Sequence, residues 1–397
     1  MVEKITRQSR LLFILTDDFG EQGTMKYFTT SQVFEKQVVI LCSEKRLDAV
    51  KAANHQQVRT YRDVDSILSA VDELRPHAIF FCSAYLLNRN AILDLTEVET
   101  LVRELQQRES VLVTTDPLLG FIETMKVWQV NPLALSSRSQ SLLRKLCLLP
   151  RQWFLFREFK YLSELLRPFV HLYPVPESAV KPAAGRTRVF FHNTALSEPI
   201  TVSESDHERG RAWIFVISEI DLGIQRSLHG ATIFACLLSE RIEELCSSGR
   251  DVVVMGPPSL KRQLSIAGKI GNRFRYLSEP PFELFNSTLL SAELAIYWNL
   301  FSNSAFDRLM KGQAVAFADK GHMARVFKGS EKVARRACFG GAETPTLDLR
   351  GEFTVETQIQ LLARAEHSAS AIATHLSVSP SPESALEKIL SRSPDRF

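Results

Sequence analysis

Ser302, Asn303 and Ser304 open the stretch SNSAFDRLMKGQAVAFAD, between the apolar run AELAIYW (Ala292–Trp298) and the apolar run AVAFAD. The spacing predicts a short amphipathic helix wedged between two strands. A helix start leaves backbone N–H groups unpaired and carries partial positive charge, which suits a phosphate. Ser and Asn are also favoured N-cap residues, so a plain cap accounts for them equally. Asp307 follows one turn later, where a solvated or helix-dipole carboxylate is also at home. A second acidic candidate pair, Asp17 and Asp18, ends the first apolar run, LLFILT. A carboxylate within hydrogen-bond reach of a hydroxyl can act as a general base; one of these Asp residues can equally cap the helix that follows. Gly20 and Gly23 permit close backbone approach, but without the full G-x-G-x-x-G they are weak evidence for a dinucleotide.

Basic candidates lie in the second half. Arg226 follows AWIFVIS, and Lys261 and Arg262 follow the strand and turn DVVVMGPP, which contains Gly256. Such cations can neutralise an anion, Arg with two parallel hydrogen bonds, or can simply be solvated. His322, in DKGH, lies just past AVAFAD. A lone His is more often structural, and His77 and His229 are read the same way. Asp116 ends SVLVTTD, where Asp-Pro is also a common turn.

The elements that must position these residues alternate along the chain. LLFILT, QVVILC, VRTY, AIFFCS and SVLVTTD read as strands separated by helical patterns, the signature of βαβ units and a parallel sheet. From Leu142 to Val170 the chain turns basic and aromatic. Arg144, Lys145, Arg151, Arg157, Lys160 and Arg167 interleave with Trp153, Phe154, Phe156, Phe159 and Tyr161. Such a stretch suits an inter-domain helix with snorkelling cations, an anionic membrane surface, or a hydrophobic acceptor or partner. The proline-rich Tyr173–Arg188 reads as a linker. Strands then resume with VFFHN, AWIFVIS, DVVVMG, FRYLS, AELAIYW and AVAFAD, and SPESALEKILSRS forms a final helix. The expected organisation is an N-terminal Rossmann-like domain (1–172, with the basic aromatic segment 142–170), a linker (173–188), a second Rossmann-like domain (189–375), and a C-terminal helix (376–397), with packing back on the first domain as an option.

The chain has 397 residues, 45% of them hydrophobic and 23% charged, with a formal charge of +3. That is ordinary for a two-domain globular protein and gives no argument for nucleic acid. The six cysteines show no C-x-x-C pair or metal-ligand spacing, and several sit in apolar runs, so buried free thiols in a reducing compartment are expected. The N-terminal apolar run is too short for a signal peptide, and no window is apolar enough for a spanning helix. A cytoplasmic protein, with peripheral contact to the inner membrane face as an option, is the expectation.

The order of elements from Ala212 to Asp319 resembles the donor-binding half of GT-B-fold glycosyltransferases. The similar parts are WIFVISEIDLGIQR, a long helix, VVVMGPP, FRYLSEPPFELF and AELAIYWNLFSNSAFDRLMKGQAVAFAD. The family usually has Glu where this chain has Asp307, and more glycines where it has NLFSNS. ILTDDFGEQGTMKYF sits where such enzymes have a glycine-containing loop after the first strand. The resemblance implies an α/β fold of two Rossmann-like domains facing across a cleft. It also implies transfer of a sugar from a nucleoside diphosphate sugar to a small-molecule, glycan or lipid-linked acceptor, with no cofactor besides that donor. No D-x-D follows a strand in the second half, so a metal-independent reaction is expected. Asp307 would bind the nucleotide ribose. Arg226, Gly256, Lys261, Arg262, Ser302, Asn303, Ser304 and His322 would line the donor site, and Asp17 or Asp18 would deprotonate the acceptor. A sugar-nucleotide epimerase or hydrolase, or a non-catalytic binding or scaffold protein on the same fold, are the alternatives.

Overall fold

The computed structural model describes residues 9–16, 21–29, 38–52, 57–89, 92–116, 118–131, 149–180, 185–191, 212–264, 272–378 and 380–392. The chain forms two compact units. One comprises Met1–Thr124, Glu158–Ser197 and Leu376–Phe397; the other comprises Met125–Arg157 and Glu198–His375.

The first unit is built on a seven-stranded sheet: β1 (Leu11–Ile14), β2 (Val38–Cys42), β3 (Gln57–Thr60), β4 (Ala78–Phe81), β5 (Val111–Thr115), β6 (Val170–Tyr173) and β7 (Thr187–Phe190). The order is β3-β2-β1-β4-β5-β6-β7, and every pairing is parallel. All residues of β1, β2 and β4 are buried, which is why they read as continuous apolar runs rather than alternating ones. Phe13 of β1 stacks on Phe80 of β4 with ring centroids 4.6 Å apart. The helices that return the chain are α1 (Glu21–Thr29), α2 (Leu47–Ala52), α3 (Val64–Leu74), α4 (Leu95–Gln106), α5 (Phe121–Thr124) and the second half of α6 (Leu149–Leu165), whose first half belongs to the second unit. Capping boxes start α3 and α4, through Asp63 with Ser66 and Asp94 with Glu97. Each cap contributes about 1 kcal/mol. The C-terminal helix, Pro382–Leu390, puts Ala385, Leu386, Ile389 and Leu390 into the same apolar cluster as Leu11, Phe13 and Val113.

The second unit carries a five-stranded parallel sheet: β8 (Ala212–Val216), β9 (Asp251–Gly256), β10 (Phe274–Ser278), β11 (Leu294–Tyr297) and β12 (Val315–Phe317). Its order is β10-β9-β8-β11-β12. Around it lie α7 (Glu219–His229), α8 (Ala231–Ser247), α9 (Pro258–Lys261), α10 (Phe282–Leu290), α11 (Asn303–Met310), α12 (Gly321–Val326), α13 (Ser330–Ala337) and α14 (Val355–Leu376). Trp213, Phe215, Phe234, Ile296 and Trp298 form the centre of its core.

Two expectations change. Thr187–Phe190 does not begin the second sheet; it pairs with β6, register Val170↔Thr187, and completes the first. The proline-rich stretch is therefore largely the β6–β7 connection. Composition cannot separate such a crossover from a linker, because both need Pro and small residues where the backbone turns. The 22-residue α14 is absent from the sequence expectation. Its buried stripe includes Gln358, Ala365, Ser368 and Ala369 while Val355 and Ile359 are exposed, so its apolar pattern is faint. Of the described cysteines, Cys42, Cys82, Cys246 and Cys338 are buried free thiols, whereas Cys236 is exposed; Cys147 lies outside the described residues.

Candidate functional site

In both sheets the strand order reverses beside the first strand, at β1/β4 and at β8/β11. Ligands of open α/β sheets bind beyond the carboxyl ends of the strands at such a switch point. In the second unit, the segments leaving β8, β11 and β12 meet there.

Asn299 links two of those segments. Its side-chain oxygen accepts from the Phe301 N–H at 3.0 Å, which turns the chain toward α11. Gly321 lies against it with φ of +84°; a Cβ there would meet Asn299 Oδ1 at 2.5 Å and Asn299 Cα at 2.6 Å. The Leu300 N–H donates to Lys320 O at 3.4 Å, and the Ala318 N–H to Tyr297 O at 2.8 Å. The loops after β11 and β12 thus form one rim. Ser302 stands at the N-cap of α11, but its hydroxyl does not bond the helix backbone. It lies 3.2 Å from the Ser304 hydroxyl instead. The side-chain bond that defines a Ser cap is missing here, and two hydroxyls sit together at the helix mouth.

Asp307 lies behind that mouth rather than on it. It is 5% exposed, with Oδ1 unpartnered. Burial holds its carboxyl well above the usual carboxylate range, and Lys311, one turn on, pulls it partway back. Its neighbour Arg308 is wholly buried and donates to the carbonyls of Leu289, Ala292 (3.2 Å) and Ala314 (3.1 Å). Burial lowers the Arg308 pKa to about 10. This side chain anchors α11 to the end of α10 and to the start of β12. The Tyr297 hydroxyl, also buried, is pushed up to about 12 by desolvation.

The third contributor is α7. Ser218 caps it by accepting from the Asp221 N–H at 3.1 Å. Asp221, buried, accepts at Oδ1 from the His322 N–H at 3.2 Å and lies 3.1 Å from His322 Nδ1. The imidazole is therefore oriented through one nitrogen by a buried carboxylate, and its side chain stays partly exposed. One turn along, Gln225 donates to Asp319 Oδ2 at 2.7 Å, and Arg325 grips the same carboxylate with two bonds of 3.0 and 2.6 Å. Asp221 fixes His322, and Gln225 ties α7 to Asp319 and Arg325, yet sequence spacing does not mark these residues: their partners lie up to 101 residues away. The Asp within ISEID at a helix start was the one local signal.

The basic candidates sit elsewhere on the same edge. Arg226 donates to Ser259 at 3.1 Å and Gln263 at 3.0 Å, clamping α7 to α9. Lys261 and Arg262 are exposed at the end of α9. Gly256 has a packing reason: a Cβ there would meet Ile217 at 2.9 Å and the Tyr276 hydroxyl at 3.0 Å. The structure thus joins Ser302, Asn303, Ser304 and His322 at one rim. It puts Asp307 in the core and gives Arg226 and Gly256 structural partners.

In the first unit, Asp17 and Asp18 lie outside the described residues. Glu21, buried at the start of α1, accepts from the Thr16 N–H at 2.5 Å and from the Thr16 hydroxyl. Asp116 locks its own turn, accepting from Leu118 N–H at 2.9 Å and Gly120 N–H at 2.8 Å. Burial raises its pKa against those bonds. His77 accepts from the Arg10 N–H at 3.0 Å, and His229 lies 3.1 Å from Arg350, so both are structural. Among the described residues no group of three or more His, Cys, Asp and Glu could hold a metal ion, and no helix is long and apolar enough to cross a membrane.

No family model matches the chain, and no curated protein matches it in sequence. Its structure does have relatives. A UDP-glucose:anthocyanidin 3-O-glucosyltransferase in complex with UDP superposes with a TM-score of 0.59 at 10% identity, over 97% of this chain and 99% of that one. UGT2 of Phytolacca americana, complexed with UDP-2-fluoro-glucose and pterostilbene, gives 0.57 at 12% identity, over 96% and 99%. The spinosyn rhamnosyltransferase SpnG with thymidine diphosphate gives 0.54 at 15%, over 95% and 98%.

Proposed function

We propose that this chain, which has the GT-B fold, binds a nucleoside diphosphate sugar on its second unit and transfers the sugar to an acceptor held by its first. The observation that carries the reading is the rim at the carboxyl edge of the second sheet. There a helix start with two uncapped hydroxyls stands in the same stitched loops as an imidazole held by a buried carboxylate. Structural neighbours with bound UDP, UDP-2-fluoro-glucose and thymidine diphosphate support the choice of ligand class.

In this reading the start of α11 and the Ser302 and Ser304 hydroxyls hold a phosphate of the donor. His322 presents its second nitrogen to the same diphosphate. Asp221 fixes the ring's orientation, so charge developing on the leaving diphosphate meets a preorganised imidazole. Lys261 and Arg262, exposed nearby in sequence after β9, add positive potential. The sugar–phosphate C–O bond breaks, the acceptor oxygen bonds that carbon, and the acceptor proton passes to Asp17 or Asp18. Asp307 supports α11 from behind; a ribose contact would require its buried carboxyl to come out of the core. The Asp221–His322 pair would also serve acid–base work on the donor sugar itself. A putative UDP-N-acetylglucosamine 2-epimerase from Listeria monocytogenes superposes with a TM-score of 0.52 at 11% identity. Epimerised sugar nucleotide without any acceptor would favour that second reading.

The test is thermal stability against UDP, GDP, TDP, CDP and ADP, with and without Mg²⁺. A ligand that binds only the native state at about 100 times its Kd stabilises by about 2.7 kcal/mol. A selective shift, lost in Ser304→Trp, is expected. No shift with any nucleotide would sink the donor-site reading and leave a non-catalytic scaffold.

A further inference from the structure

From Thr124 to Arg157 the sequence contains six Lys and Arg and no Asp or Glu, although the whole chain carries only +3. The described parts of this stretch converge. The Gln152 amide donates to Val127 O at 2.9 Å, so the first turn of α6 lies against residues 126–128. Three large aromatic side chains there face solvent: Trp128 is 63% exposed, Trp153 47% and Phe154 64%. Exposed Trp and Phe side chains side by side are unusual on a protein that keeps Trp213 and Trp298 fully buried. Each tryptophan carries a cation on its ring: Lys126 Nζ is 5.0 Å from the Trp128 ring centre, and the Arg157 guanidinium 4.5 Å from that of Trp153. Trp153 and Phe154 meet edge to face at 5.8 Å. Arg151 is exposed on the same turn.

The amphipathic indole ring prefers the headgroup level of a bilayer, and Arg and Lys beside it meet lipid phosphates. A protein partner would more often be met by a mixed-charge rim; an acid-free stretch matches a surface that is negative everywhere. We infer that Lys126, Trp128, Arg151, Trp153, Phe154 and Arg157 form a docking surface for an anionic lipid bilayer. The second half of α6 buries Phe159 and Leu162. The attachment is peripheral, through rings at headgroup depth and charge attraction, and is independent of nucleotide.

The experiment is co-sedimentation of the full chain with vesicles of phosphatidylcholine alone and with about 30% phosphatidylglycerol, at about 0.1 M NaCl. Binding to the anionic vesicles alone is expected, weakened as salt shortens electrostatic range. At about fivefold per charge near an anionic surface, the Arg151→Gln, Arg157→Gln double variant should bind roughly 25-fold more weakly. Trp153→Ser with Phe154→Ser should also lose binding, while nucleotide-dependent stability, where present, stays unchanged. All four side chains are exposed, so these variants fold. Equal sedimentation of wild type and both variants, no binding to either vesicle, or a dimer in solution that Trp153→Ser, Phe154→Ser dissolves would each overturn the inference.

Discussion

Replacing Asp307 with Asn tests whether the acid of α11 belongs to the core or to the ligand rim. Its carboxyl is buried, one oxygen is unpartnered, and burial holds its pKa well above the ordinary value. The folded protein therefore binds a proton that the unfolded chain has already released. Its contribution is fully present below the unfolded carboxylate pKa of about 4 and is lost as pH rises through the raised folded value. Inside that window one proton separates the two states, so stability falls by about 1.4 kcal/mol per pH unit. For a unit of this size that is roughly 3–5 °C in Tm per pH unit. Asp307→Asn keeps the shape and cannot ionise, so the wild-type-minus-variant stability should fall with that slope. The difference is read by urea unfolding, following the buried Trp213 and Trp298 in a Trp128→Phe, Trp153→Phe background. The constant cost of placing an amide there drops out of the slope. A difference that stays flat from about pH 4.5 to 8 would refute the burial argument and return Asp307 to the rim as an ionised group.

Two further outcomes follow from the same geometry. Gly321→Ala adds a Cβ within 2.6 Å of the Asn299 backbone at a residue with φ of +84°; it should destabilise the second unit by about 2 kcal/mol or more, measured by urea unfolding, and weaken any nucleotide-dependent stabilisation by moving the rim. His171, buried in β6 beside Arg186, has its pKa lowered to about 4 by desolvation. The unfolded chain then binds the extra proton between about pH 6.5 and 4, so the first unit should lose about 3 kcal/mol as pH falls through that range. His171→Gln should flatten the loss, read by hydrogen exchange of β5 and β6 amides; an unchanged acid limb would contradict the assignment.

The strands were legible from sequence because parallel strands covered on both faces must be apolar at every position. LLFI, VVILC, AIFF and AWIFV can be buried elements of little else. The helix mouth at Ser302–Ser304 was legible too, because capping chemistry is local and the glycine after α11 marks where the helix must stop. What those residues do with their hydroxyls was not. A Ser before a helix has the same sequence whether its Oγ caps the backbone or turns to a neighbouring hydroxyl, and only the fold chose the second. The same limit hid the inside of α11. Asp307 and Arg308 are adjacent charged residues on a short amphipathic helix, and sequence rules assign such residues to solvent. The packing of α10, β11 and β12 around the helix buries both, and Arg308 reaches three carbonyls at the ends of those elements. His322 gained its orienting carboxylate from Asp221 across 101 residues, and Thr187–Phe190 gained its sheet from the free edge of β6. Local chemistry fixes which segments become strands and where helices start. Long-range packing decides which polar groups are left facing outward to do chemistry, since burial is a property of the neighbours and not of the residue.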